Sequence, residues 1–217
     1  MTHLEVWYAR IEVRDLLETM ASPQRKQMSS LIRKSAVKDH LSALDKLTTV
    51  VDGRRAIVDD PPLVMHVDDL VPDLQARLMQ VFSDYRQSLG VHRRELFDRY
   101  RLVDFARKVV GVGSVGTRCW AALFQGPNGG PLFLQVKEAR QSVISIALGN
   151  KPAGHFGQRV VDGQRSLQAA SDVMLGWATD GTTGEHYFMR QLCDSKWSAD
   201  VSGMGPFGLG MYAGYCG

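Results

Sequence analysis

Apolar residues recur at helical spacing through the first half of the chain and at strand spacing through much of the second. Asp15 to Met20 reads as a short helical piece, and Ala21-Ser22-Pro23 as a start signal with proline where a first helical turn tolerates it. Met28, Leu31, Ile32, Leu41, Leu44 and Leu47 then predict a helix, ended by Val50-Val51-Asp52-Gly53. Asp59-Asp60-Pro61-Pro62 predicts a rigid turn, because proline fixes φ and supplies no N–H. Leu70, Leu74, Leu78, Phe82 and Tyr85 step by four or three and predict a second helix, stopped by Gly90. Leu96, Tyr100 and Val103 share a stripe that predicts a third, around Arg94 to Phe105. Such stripes read as core.

The period changes at Val109. Val109, Val110 and Val112 are β-branched, and Gly111, Gly113 and Gly116 form a G-x-G-x-x-G loop among and after them. Cys119 to Phe124 is a short apolar run. Gly126-Pro127-Asn128-Gly129-Gly130 contains Asn-Gly, a strong hairpin signal. Leu132, Leu134 and Val136 alternate with Phe133, Gln135 and Lys137, so a strand there has one apolar face and one that displays the lysine. A helix is expected from about Gly157 to Leu175, a turn at Asp180 to Gly184 and a strand from Tyr187 to Leu192. Gly203 to Gly217 holds six glycines without a clear period and is expected to be a flexible, Gly-rich tail. Three parts follow: a mainly helical segment over 1–104, an antiparallel sheet plus helix over 105–202, and the tail over 203–217. The fold class is α+β, with no internal repeat.

Composition narrows the function less than the pattern does. With 217 residues, 44% apolar and 23% charged, the chain suits a soluble globular protein. A formal charge of +3 makes no case for nucleic acid. The early basic residues Arg25, Lys26, Arg33, Lys34 and Lys38 are interleaved with apolar ones and read as a solvated helix face. Cys119, Cys193 and Cys216 form no C-x-x-C pair, which fits a reducing compartment, and no His or Cys cluster has metal-ligand spacing. The opening MTHLEVWYARIEVRDLLE lacks an apolar signal core, and no run is long enough to span a bilayer, so a cytoplasmic location without a membrane partner is expected. His3, His40, His66, His92, His155 and His186 are scattered and read as structural or exposed. Asp59-Asp60 could pair on a metal, although beside two prolines it reads better as a turn or cap. Trp120 and Trp177 read as core, Trp7 as packing between the helical and hairpin parts. No G-x-S-x-G nucleophile elbow is present.

The glycine loop concentrates the candidate chemistry, because glycines let a backbone turn tightly and aim N–H groups at a phosphate. Two folds can host it. In a dinucleotide-binding unit, Val109 to Val112 is the first strand, Thr117 to Gln125 a helix and Leu132 to Val136 the second strand, with Glu138 holding a ribose hydroxyl. In a kinase-type hairpin the loop joins two strands, and Gly111, Gly113, Ser114 and Gly116 cover the phosphates. Lys137 then reaches the phosphates from the third strand, and Asp162, in the first turns of the next helix, orients its amine. Gln135, two before the lysine, and Arg118, two after the last glycine, depart from the usual kinase residues. A hairpin with a surface lysine and no ligand stays open beside both.

RLVDFARKVVGVGSVGTRCWAALF, LFLQVKEA, GQRVVDGQRSLQAASD and YFMRQL, with LEVWYAR and DKLTTVVDGRRAIVDDPPL before them, resemble an uncharacterised bacterial family, domain of unknown function 2252. The resemblance covers nearly the whole chain. It implies a kinase-like fold of aminoglycoside-phosphotransferase type, circularly permuted, of which this segment is similar to the small lobe: it would bind ATP, with Mg. It also implies longer members whose upstream half carries the catalytic base and metal-binding loops, so this chain is expected to be an internal portion, inactive alone, that pairs with the missing half or with itself. No H-x-D base with a following Asn occurs here, and Asp194-Ser195-Lys196-Trp197 departs from the family wording. A truncated, non-catalytic scaffold or interaction protein is the alternative.

Overall fold

Asn128 and Gly129 adopt φ of 57° and 77°, left-handed conformations that Asn and Gly tolerate best. They lie in a 3-10 turn, Pro127–Gly129, closed by Gly126 N–H donating to Gly130 O at 2.7 Å. This turn joins two long strands, β5 (Cys119–Gln125) and β6 (Pro131–Ala139), in register from Cys119↔Lys137 to Gln125↔Pro131. The computed structural model describes residues 17–18, 22, 25–26, 29, 47–51, 53–66, 73–109, 116–151, 153–168, 171–192 and 201–216.

Around this hairpin the order along the chain is β1 (Thr48–Val51), β2 (Arg54–Ile57), β3 (Val64–Met65), α1 (Leu74–Ser88), α2 (Val91–Phe97), β4 (Arg101–Lys108), β5 and β6. Then come α3 (Val143–Ala147), α4 (Phe156–Leu167), β7 (Gly176–Thr179), β8 (His186–Gln191) and α5 (Pro206–Cys216). β1 and β2 form their own two-stranded sheet. The other strands make an antiparallel six-stranded sheet in the order β3-β4-β5-β6-β8-β7. The last hairpin therefore folds back so that β8, not β7, lies beside β6.

Both faces of the sheet are covered. On one, Phe105, Ala122, Phe124, Leu132, Leu134, Val136 and Met189 pack against Val81, Phe82, Tyr85 and Leu89 of the α1 region and Phe97 of α2. Phe82 meets Phe124 edge-on at 5.0 Å between ring centres. On the other face, Ile57 of β2 and Val64 close over Ala106, Ala121, Leu123 and Phe133. Farther along that face, toward β7, lies α4, with Val161 fully buried and the Arg165 guanidinium 5.8 Å from the Trp177 ring centre. Because both faces are buried, β6 loses the predicted contrast between an apolar and a displayed side. Gln135 is only 2% exposed, as buried as its apolar neighbours.

Several sequence expectations give way here. Where a helix is predicted up to Leu47 and ended by Val50 to Gly53, Thr48–Val51 and Arg54–Ile57 form a hairpin turning at Gly53, whose φ is 73°. β-branched Thr48, Thr49, Val50 and Val51 suit a strand better than a helix. Most of the helical segment expected before them, and Trp7, lie outside the described residues. The stripe Leu96, Tyr100 and Val103 does not make one helix: α2 ends at Phe97 and β4 begins at Arg101, because pairing with β5 overrides the local period. Gly90 ends α1 and also caps α2. The helix expected over Gly157 to Leu175 stops at Leu167. Pro206–Cys216 is helical where a flexible tail is predicted. Its glycines each cost about 1 kcal/mol of propensity, but Pro206 stands in the first turn and Leu209 N–H closes onto Gly205 O at 3.0 Å. The dinucleotide-type unit needs a helix over Thr117 to Gln125, where the structure has β5. Among the described residues no helix is long and apolar enough to cross a membrane.

Candidate functional site

The glycine loop connects β4 to β5, two neighbouring antiparallel strands. Gly111, Gly113 and Ser114 lie outside the described residues; Gly116 is exposed, with φ of 77°. Such a φ suits glycine and strains a side-chain-bearing residue. At the loop end of the sheet is a mouth of about 480 Å3 walled by Arg107, Lys108, Arg118 and Arg140, with Gly116 and Thr117 at its edge. Among the described residues, four cations and no carboxylate line it. Guanidinium forks are planar and suit the geometry of an oxyanion.

Glu138 fixes this mouth. Its carboxylate accepts from Arg118 N–H at 2.9 Å and pairs with the Arg140 guanidinium. Burial acts to raise its pKa, but the Arg140 bond, the Arg118 N–H and the two positive charges outweigh that and hold it below the usual carboxylate range. Glu138 is thus engaged within the fold, not free for a ribose. The Arg118 side chain pairs with Glu185 beyond the β7–β8 turn. The Arg159 guanidinium donates to Arg140 O at 3.0 Å, tying α4 to the end of β6.

Lys137 stands one residue before Glu138, so its side chain takes the opposite face, which α4 covers. It is half-buried, opposite Cys119 on β5 and Phe188 on β8. The Cys119 thiol, 3% exposed as a residue, reports what gathers there. Burial raises its pKa, while Lys137, Lys108 and Arg190 all pull it down by their charge. Gln135 bridges the group, donating to Cys119 Sγ at 3.7 Å and accepting from Arg190 Nε at 3.2 Å. Asp162, expected to orient Lys137, is exposed on α4, and no ion pair joins the two among the described residues. Gly157 and Val161 are the buried residues of α4; the next position lies about 100° around the helix, which carries Asp162 off the inward stripe.

The start of α4 is pinned by two histidines. His155 caps the helix, its Nδ1 accepting from Gln158 N–H at 3.0 Å and its Nε2 bonding Thr179 Oγ1. His186 stacks on it at 3.9 Å and accepts from Phe156 N–H. Burial and the neighbouring His186 lower the His155 pKa, so the ring stays neutral as the cap requires.

A second polar cluster lies under β3. His66 Nδ1 meets Asp59 at 2.9 Å and Nε2 meets Asp104 at 3.1 Å. Asp104, beside an irregularity in β4 pairing, also accepts from Ile57 N–H at 2.5 Å and Phe105 N–H at 2.8 Å. Asp59 also accepts from His66 N–H at 2.9 Å and so braces the turn; among the described residues no group of three or more His, Cys, Asp or Glu side chains could hold an ion. Burial would lower the His66 pKa, but the bonds to Asp104 and Asp59 and their charges raise it above 6.5 overall. The clamp's contribution is therefore complete below about pH 6.5, the unfolded value, and fades as pH climbs through the folded value. Urea unfolding of wild type across this range should lose on the order of 1 kcal/mol that His66→Gln does not lose. Parallel profiles for wild type and His66→Gln would contradict the clamp.

Sequence reasoning names the glycines, Lys137 and Asp162, and misses most of the cationic wall. Arg107 and Lys108 before the glycines and Arg118 after them were the available signal, since two strand ends joined by one loop must bring them together. Arg140, Arg190 and the carboxylate anchor at Glu138 depend on pairings that only the sheet reveals. A family model described as an uncharacterized protein conserved in bacteria (DUF2252) matches residues 1–217. No curated protein and no solved structure matches the chain.

Proposed function

The chain belongs to the uncharacterized bacterial family DUF2252, and we propose that it binds a nucleoside triphosphate through the glycine loop and Lys137, as the small lobe of a kinase-like fold does. The order of parts carries this reading: strand β4, glycine loop, strand β5, hairpin, lysine strand β6, helix α4, then two strands, the last beside β6. A glycine loop covering phosphates and a lysine on the third strand are the components of that nucleotide site.

In this reading Gly111, Gly113, Ser114 and Gly116 supply backbone N–H groups to the phosphates, and Lys137 reaches them from the covered face. The cations at the mouth add long-range attraction for a polyanion. Asp162 stands on α4 as the acid nearest in sequence order to the kinase pattern; here it would face solvent and act on Lys137 only through it. Magnesium would arrive on the nucleotide's own phosphates. The reading assigns nucleotide binding to this chain; phosphoryl transfer additionally requires a positioned base and metal ligands.

Calorimetric titration of ATP with magnesium tests it. Wild type should bind, and Lys137→Ala should weaken binding about tenfold or more, the order of a charge-assisted contact. Asp162→Asn should change it little. Raising the salt should weaken binding progressively. Equal affinity of wild type and Lys137→Ala would remove the lysine from the site; no heat in either would remove the reading.

A further inference from the structure

An aromatic-lined hollow lies on the other face of the sheet from Lys137. A cavity of about 400 Å3 opens between the first turns of α1 and the loop end of β4, β5 and β6. Trp120, half-buried, forms part of its floor and stacks on Phe105 at 5.0 Å between ring centres and 21° between planes. Leu74 and Leu78 of α1 form part of the wall.

Charge at its rim is unevenly balanced. Arg77 pairs with Asp180 and Arg118 pairs with Glu185, so two guanidinium groups are matched by two carboxylates. Arg107 also lines the cavity, is exposed, and has no ion pair among the described residues. Arg77 Nε is buried and lacks a hydrogen-bond partner there as well. Ligand sites typically combine an apolar hollow of ~300–1,000 Å3 with a few polar groups that fix orientation.

We propose that this cavity is a binding site for a planar aromatic ring carrying one anionic group. The ring lies against Trp120 on the apolar floor, and the anion meets Arg107. Offset or edge contacts between rings add to area burial, and the guanidinium fork suits a carboxylate or phosphate. The site stands without the nucleotide reading. Arg107 and Arg118 line both this cavity and the glycine-loop mouth, so the ring belongs either to a free aromatic acid or to the base of a nucleotide whose phosphates occupy that mouth.

The test uses 2-naphthoate and its neutral counterpart 2-naphthol, titrated against the full chain and followed by calorimetry and by tryptophan fluorescence. Naphthoate should saturate one site per chain, and naphthol should bind at least about tenfold more weakly, the order of one charged contact. Arg107→Ala should erase that preference. Leu74→Trp, which fills the cavity from a half-buried position, should abolish binding of both while the far-ultraviolet spectrum and the unfolding midpoint stay in place. Non-saturating naphthoate binding, an intact preference in Arg107→Ala, or undiminished binding to a folded Leu74→Trp would each overturn the proposal. With the site filled by naphthoate, displacement by ATP assigns the ring to the nucleotide, and its persistence under ATP assigns it to a free acid.

Discussion

Gly157→Ala is expected to cost on the order of 3 kcal/mol or to prevent folding altogether. A Cβ at residue 157 would stand 2.1 Å from Tyr187 O and 2.8 Å from Tyr187 C, both backbone atoms of β8. It would also lie 2.9 Å from His155 Cε1. A flexible side chain could swing aside; a strand paired on both edges cannot. The helix would have to lift, and with it the cap at His155, the stacked His186 and the Arg159 contact to Arg140. Gly163, in the same helix, is the control, because a Cβ there meets nothing within 4 Å. Gly163→Ala should stabilise by about 0.5–1 kcal/mol through helix propensity and unfolded-state entropy. Urea unfolding of both variants measures the contrast, and similar values for the two would mean that α4 does not rest on β8.

Tyr85→Ala is expected to cost about 4 kcal/mol, and Tyr85→Phe about 1–2 kcal/mol. Tyr85 is 0% exposed at the centre of the core between α1 and the sheet. Its ring meets Phe97 edge-on at 5.1 Å, and its hydroxyl donates to Met174 O at 2.6 Å. Removing the ring leaves a cavity among residues already held by two helices and five strands, with little freedom to collapse. Removing only the hydroxyl keeps the packing and strands one buried carbonyl. The gap between the variants separates packing from hydrogen bonding, and denaturant midpoints at constant slope read it. A Tyr85→Phe as costly as Tyr85→Ala would show that the hydroxyl, not the ring, anchors the core.

What could be read in the sequence follows from what is local. Asn128-Gly129 announces the hairpin because its left-handed conformations are a property of those two residues alone. The strand from Leu132, the helix from Leu74 and the turn at Asp180 to Gly184 are similarly self-specified. Leu96, Tyr100 and Val103 misread as one helix because their period was right, while β4, which holds Val103, exists only by pairing with β5, some twenty residues away. Thr48 to Val51 misread as a helix end because its strand exists only by pairing with Arg54 to Ile57. At the site, Lys137 and the glycines are recognisable as chemistry at fixed spacing. The wider set of cations is not, since Arg140 and Arg190 join Lys108 only through the strand order β4-β5-β6-β8. The expected pairing of Lys137 with Asp162 rested on helix position in sequence; the burial of Val161 decides which way that helix faces.

The central claim is that the glycine loop and Lys137 hold the phosphates of a nucleotide. Backbone amide spectra of the full chain, recorded while ATP is added with and without magnesium, test it most directly. The account predicts saturable shifts at Gly111, Gly113 and Gly116 and at Lys137, with matching dissociation constants, and in Lys137→Ala glycine shifts whose midpoint moves to about tenfold or more higher ATP. Unmoved glycine amides at saturating ATP, or shifts that persist unchanged without the lysine, would contradict it.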